Sequence, residues 1–350
     1  MVLQYMETDQ LPQALKKWFD ENVDSLQVQR ISGIRTATSG LSNITLFFHV
    51  DGEQAGKPIS RGYVLRLPPE RETVFSADFL FQCQMMWALA PTGLKVPEVY
   101  WYESEKAYLG CEFYIMEKIS GESPGDAYPG FHGAGVFYDA VVTDRTTLWR
   151  DAIDQLVALH ALDWHTLSLP DDMYFPKDAA DALRAQIESL EKMYARVTKV
   201  RIPIIEHTLQ WLSTQTWVPE KTSLLWGDAR PGNMLFDGNS VVANLDWESA
   251  SIGPPEFDLA YFMVSVELSA DFCQVDRLPG LMSEEDTIQY YLAASGSQRD
   301  GIPYAFIFTY CRLAIMTALH VQSPPDDLVL PESFYFDNYC VRQLAAHLPV

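Results

Sequence analysis

The chain has 350 residues, 48% of them hydrophobic and 13% aromatic, the composition of a globular protein long enough for two domains. Its 47 acidic side chains outnumber 25 basic ones, for a net charge of −22; this argues against nucleic acid and an anionic membrane as partners and tolerates a cationic substrate. Cys83, Cys111, Cys273, Cys311 and Cys340 lack zinc-ligand spacing and read as reduced thiols, and neither a signal peptide nor a run long enough to span a membrane is evident, so a cytoplasmic location is expected.

Residues 11–23 place Leu11, Leu15, Trp18, Phe19 and Val23 at helical spacing, an amphipathic helix on the outside of the first domain. A small-residue turn, Ser39-Gly40-Leu41-Ser42-Asn43, feeds a strand from Ile44 to Val50. Small residues let backbone N–H groups approach an anion closely, although a plain hairpin turn has the same composition. Asp51 to Pro58 reads as a polar connection, and Tyr63 to Leu67 as a strand carrying Arg66. Ser76 to Ala90 has a helical apolar face that includes Phe79, Cys83, Met86 and Trp87, with Ser76 as its cap. Val96 to Trp101 and Cys111 to Lys118 read as two more strands.

The composition shifts to Gly, Pro and Ser after Ile119, which divides the chain into an N-terminal β-rich domain over residues 1–120 and a C-terminal helical domain over 121–350. Residues 121–142, rich in glycine and aromatics, are expected either to form a substrate lid or to be a surface loop. Thr143 to Trp164 is the clearest helix, and His160 on its apolar face reads as a core histidine. Further helices are expected over 181–213, Phe257–Leu268, Ser283–Ala294 and Tyr304–Val321, followed by an acidic tail with Asp326, Asp327, Glu332 and Asp337.

The stretch from Leu224 to Ala260 carries the chemistry. Asp228 and Asn233 flank the turn Pro231-Gly232. Met234-Leu235-Phe236, the turn Asp237-Gly238-Asn239 and the run Val241–Leu245 form a hairpin that returns Asp246 toward Asp228. One carboxylate to orient and deprotonate a hydroxyl, with an amide and a second carboxylate to hold Mg²⁺, suits phosphoryl transfer.

The pattern Gly-Asp-x4-Asn, a hairpin, Leu-Asp-Trp-Glu and Gly-Pro-x3-Asp-Leu-Ala resembles the aminoglycoside phosphotransferase and choline kinase family. Within that family it looks nearest to the group that includes the kinase-like half of some acyl-CoA dehydrogenase fusions. The resemblance implies an α+β, protein-kinase-like bilobal fold, with a small antiparallel β lobe and a larger, mainly helical lobe. It implies Asp228 as catalytic base, Asn233 and Asp246 as Mg²⁺ ligands, and Asp258 as a brace for the catalytic loop. Arg230 matches a position from which protein kinases reach the transferred phosphate. Trp226 stands where the family commonly has a supporting His.

For ATP or GTP the resemblance points to the turn bearing Ser39, Gly40, Ser42 and Asn43, to Arg66 on the phosphates, to Gln82 as its partner, with Asp78 in reserve, and to main-chain groups of Glu117 and Ile119 on the purine. The acceptor would be a small alcohol: a hydroxyacyl thioester, or an aminoglycoside or other cationic alcohol. Trp226 and Gln82 depart from the family pattern, and they motivate a rival reading as a non-catalytic, nucleotide- or metabolite-binding relative. The oligomeric state stays open.

Overall fold

The computed structural model describes residues 2–3, 6–7, 9–37, 43–68, 78–125, 128–324 and 329–348. Ser39, Gly40 and Ser42 of the expected phosphate-binding turn, Ser76, and Asp326 and Asp327 lie outside the described residues. Contacts group residues 1–91 and 96–120 into one compact unit, and residues 92–95 with 121–350 into a second.

The first unit begins with short paired strands β1 (Val2–Leu3) and β2 (Met6–Glu7), then helix α1 (Leu11–Asn22). Five strands follow: β3 (Leu26–Thr36), β4 (Ile44–Gln54), β5 (Lys57–Leu67), β6 (Val99–Glu103) and β7 (Phe113–Glu117). They form one sheet in the order β3-β4-β5-β7-β6, with every neighbour antiparallel. Burial alternates along β4, with Leu46, Phe48 and Val50 inward, as the period of two in a pleated strand requires. The apolar stripe of α1 covers this face: Leu11, Leu15, Trp18 and Phe19 are buried, and the Trp18 ring meets Phe113 edge-on at 5.4 Å.

The polar stretch between β4 and β5 is shorter than its composition suggests. The strands run to Gln54 and from Lys57, and Ala55 (φ +50°) and Gly56 (φ +72°) alone make the turn. Two successive positive φ values match the right-handed strand twist, so a two-residue turn suffices. Helix α2 (Phe79–Leu89) also starts later than its apolar period suggests. Asp78 caps it, accepting from the Leu80 N–H at 2.8 Å, and so is occupied at the helix end rather than with Arg66. Trp87, expected on the buried face, is 42% exposed, with its indole N–H on the Val99 carbonyl.

The second unit contains α3 (Val136–Asp139), α4 (Val142–His160), α5 (Ala179–Tyr194), α6 (Pro203–Thr214), β8 (Ser223–Leu225), β9 (Met234–Asp237), β10 (Ser240–Asn244), β11 (Ser251–Gly253), α7 (Glu256–Cys273), α8 (Glu284–Ser295), α9 (Ile302–Gln322) and α10 (Tyr339–His347). The helix expected over 181–213 is two helices, because Pro203 starts α6 where its missing N–H costs nothing. Helix α10, which follows the expected acidic tail and has no counterpart in the sequence reading, is capped by Asn338 and buries Cys340, Val341 and Leu344. By length and composition α9 could cross a membrane, contrary to the sequence reading, but 72% of its apolar window is buried inside the unit. It packs on α7, where Phe257 and Phe308 stack with ring centroids 3.9 Å apart.

The described part of 121–142 is anchored to the second unit rather than a free surface loop. Phe131, His132 and Phe137 are buried. His132 accepts from the Leu278 N–H at Nδ1 and therefore donates from Nε2 to the Val266 carbonyl. The Arg145 guanidinium binds the carbonyls of Phe137, Tyr138 and Pro279. Phe131 and Phe137 belong to the core, whereas Tyr128 and Tyr138 are exposed.

Candidate active site

The hairpin expected between Met234 and Asn244 forms, with Ser240 opposite Asp237 and Gly238 at φ +57° in the turn. The strands β8 and β11 pair antiparallel, Leu225 with Ser251. Two acidic segments leave these strands: the turn from Trp226 to Asn233, which follows β8, and the segment through Asp246, which follows β10. Bonds join them. The Leu245 N–H donates to the Asn233 carbonyl at 2.8 Å. The Trp226 indole N–H donates to the carbonyls of Leu245 (2.9 Å) and Asp246 (3.1 Å). The Trp226 ring, buried and stacked on Trp247 at 5.5 Å, holds that donor in place. A tryptophan where the family has a histidine thus still supplies a ring N–H, here to the Asp246 segment.

The turn itself hangs on Asp258, in the first turn of α7. Its Oδ2 accepts from the Trp226 N–H at 2.6 Å, and its Oδ1 from the Gly227 N–H at 2.9 Å. Gly227 has φ +83°, and a Cβ there would stand 2.1 Å from the Ser249 carbonyl oxygen, so both conformation and space demand glycine.

Asp228 comes next, and three side chains converge on it. Asn233 Nδ2 donates to both its main-chain carbonyl (2.9 Å) and its Oδ2 (2.7 Å). Arg230 Nε donates to Oδ2 at 3.1 Å, and the Tyr261 hydroxyl donates to the carboxylate. Burial pushes the Asp228 carboxyl up, but the Arg230 charge and the hydroxyl and amide donors outweigh it and hold it below the ordinary carboxylate range. Burial and the neighbouring Asp228 charge raise Tyr261 well above the usual phenol range, so it stays a donor. The side chain of Asp228 is 19% exposed, so an outside hydroxyl can reach it.

Because Asn233 commits its Nδ2 to Asp228, its Oδ1 faces elsewhere as a neutral hard-oxygen donor. Asp246 offers a carboxylate from a backbone at φ +61°, left-handed and unusual for a residue with a side chain. This donor set, one amide oxygen and one carboxylate, suits Mg²⁺, which keeps most of its shell as water and phosphate. Among the described residues no group of three or more His, Cys, Asp or Glu could hold an ion alone.

The residues expected on the nucleotide are distributed in the first unit. Arg66 Nη1 donates to the Thr45 hydroxyl at 2.8 Å across the β4–β5 pair. Gln82, expected to partner Arg66, instead accepts from the Tyr114 hydroxyl at 3.1 Å, because α2 packs it against β7. The Glu117 N–H, expected to face a purine, is bound to the Glu98 carbonyl at 2.8 Å. Asn43 is buried at the start of β4. Ile119 follows the end of β7, outside regular structure.

Sequence reasoning missed the layer behind the turn. His160 is buried on α4, with Nε2 3.1 Å from Asp258 Oδ2 and Nδ1 2.7 Å from the Tyr291 hydroxyl. The core histidine read from the sequence is thus in contact with the brace of the catalytic turn. Tyr261 was legible in principle: it lies three residues after Asp258 on α7, and such residues share a helix face.

Residues 33–280 match the Phosphotransferase enzyme family, and the chain belongs to it. Its fold is α+β and protein-kinase-like. Acyl-CoA dehydrogenase family member 11 of Homo sapiens is 28% identical over 260 residues, 71% of this chain and 30% of the relative. The chain therefore spans under a third of that relative's length. A Ralstonia eutropha protein assigned to the aminoglycoside phosphotransferases superposes with a TM-score of 0.69 at 22% identity, covering 95% of each chain. A thermostable aminoglycoside phosphotransferase APH(4)-Ia, in ternary complex with AMP-PNP and hygromycin B, gives 0.59 at 14%, covering 95% of this chain and 97% of its own.

Proposed function

We propose that this chain moves the γ-phosphoryl group of ATP or GTP to a hydroxyl of a small molecule with Mg²⁺. The observation that carries the reading is the Asn233 amide, which bridges the main chain and the carboxylate of Asp228. It makes the base and one hard-oxygen ligand a single fixed unit. Asp228 orients the acceptor hydroxyl and takes its proton as the acceptor oxygen bonds to the γ-phosphorus. The bond from that phosphorus to the β–γ bridging oxygen breaks, and the nucleoside diphosphate leaves with the electron pair.

Asp228 is a weak base, and its contribution is chiefly positioning; the low basicity keeps it ionised and ready. Asn233 Oδ1 and Asp246 would hold Mg²⁺, which supplies neutralisation of the phosphate charge. Arg230 Nε donates to Asp228. From there it steadies the base and adds positive charge beside the transferred group. Arg66 is assigned to the nucleotide phosphates, with the 39–43 turn, on the resemblance alone. Trp226, which motivated a non-catalytic reading, supports the catalytic one through its bonds to the Asp246 segment. All five cysteines are buried free thiols, in keeping with a cytoplasmic location.

The experiment is a thermal melt with and without Mg-ATP and Mg-GTP, on the parent and on Asp246→Ala. Ligand at about a hundred times its dissociation constant stabilises by about 2.7 kcal/mol. A magnesium-dependent shift that Asp246→Ala loses supports the site; the absence of any shift with either nucleotide overturns it.

A further inference from the structure

Arg312, on α9, lies over the ring of Tyr261 and has no carboxylate partner among the described residues. Its guanidinium lies 5.2 Å from the centroid of the Tyr261 ring. The Tyr261 hydroxyl is bound to Asp228, and the ring is buried at 4% exposure, so the cation sits one aromatic ring from the base. Arg312 Nε is enclosed and has no hydrogen-bond partner among the described residues, nor does its side chain form an ion pair there. Enclosing an unpaired N–H of a charged group is costly, and Arg201, Arg277, Arg299 and Arg342 of the same unit each pair with a carboxylate. A guanidinium with no carboxylate partner, one ring away from the base, is suited to receive an oxyanion.

We propose that Arg312 binds an anionic group of the acceptor, so that the alcohol phosphorylated by this chain carries a carboxylate or phosphate near its hydroxyl. This rests on the phosphotransferase reading and narrows it. An aminoglycoside, which brings ammonium groups to the same place, would face Arg312 with like charge. The net charge of −22 describes the whole surface, whereas Arg312 and Arg230 add positive charge beside Tyr261.

The test is calorimetric titration of the parent, saturated with Mg-ADP, using four probes: 3-hydroxybutyrate, glycerol 3-phosphate, glycerol and kanamycin. At least one anion should bind about 10- to 100-fold more tightly than glycerol or kanamycin, the range of one charge-assisted hydrogen-bonding group. Which of the two anions wins separates a carboxylate from a phosphate. Arg312→Gln should erase the margin, and Arg312→Lys, which keeps charge but not the fork, should keep part of it. The proposal is overturned if neither anion binds more tightly than glycerol, or if the margin survives in Arg312→Gln. Should Arg312→Gln fail to fold, the parent's ranking of the four probes and the Arg312→Lys margin decide. Failure of Mg-ADP to bind at all would sink the phosphotransferase reading instead, and titration of the nucleotide-free protein would still read Arg312.

Discussion

His160 Nε2 lies 3.1 Å from Asp258 Oδ2, and both side chains are excluded from water. Asp258 in turn receives the main-chain N–H groups of Trp226 and Gly227, while Tyr291 closes the far side of the imidazole. Three helices, α4, α7 and α8, thereby meet at one carboxylate that fixes the position of Asp228.

Removing that carboxylate should therefore be severe. Asp258→Ala leaves two buried N–H groups and His160 without their acceptor, a loss of about 3–5 kcal/mol. Tyr291→Phe removes only the outer hydroxyl and should cost about 1–2 kcal/mol. Urea unfolding of both variants measures the ranking; equal costs would show that the chain of contacts is not organised around Asp258.

Arg230 should control the acid limb of the rate. With Arg230 present, Asp228 titrates below its ordinary value. Its ionised form is thus retained down to low pH, and the stability it contributes is lost only as pH falls through that depressed value. Arg230→Gln leaves burial as the largest influence, so the acid limb of kcat/KM should move to higher pH and kcat should fall. A limb that stays in place in the pH profile would show that Arg230 does not set the charge of Asp228.

The Trp226 indole should matter through its N–H. Trp226→Phe keeps ring packing on Trp247 but leaves the carbonyls of Leu245 and Asp246 without that donor, and should destabilise by about 1–3 kcal/mol. The concentration of Mg²⁺ for half-maximal rate should rise. Trp226→His, which restores a ring donor, should recover part of both. An unchanged Mg²⁺ requirement in Trp226→Phe would reduce the residue to packing.

Asp246 offers a separation of backbone from side chain. Its φ of +61° is relaxed for glycine and strained by about 1 kcal/mol for other residues. Asp246→Gly should melt at or above the parent temperature while turnover disappears, whereas Asp246→Ala should be less stable than Asp246→Gly. Turnover surviving in both would remove Asp246 from the metal.

What could be read in advance was what is local. Asp228, Asn233 and Asp246 follow from a turn and a hairpin, whose geometry is set by short-range residues such as Pro231, Gly232 and Gly238. The helical period of α1 and α4 exposed their buried faces in the same way. The contact of His160 with Asp258 spans 98 residues, and Arg312 reaches Tyr261 from another helix. Neither has a sequence period, because both are fixed by which helices pack together. The bond from the Tyr114 hydroxyl to Gln82 is of the same kind, set by the packing of α2 on β7.

The grouping of Thr92–Lys95 with residues 121–350 has a genetic corollary. The Lys95 carbonyl accepts from both the main-chain N–H and the Nδ2 of Asn244, and its Nζ donates to the Val241 carbonyl. The chain thus visits the second unit for four residues, returns for β6 and β7, and only then departs. A fragment cut to begin at Gly121 would lack the segment that covers β10, and its Asn244 donors would lose their acceptor. Recombination between distant relatives would have to import residues 92–95 together with everything after 120. Exchange of the units by a single crossover is closed to this architecture, which ties the evolution of the two units together.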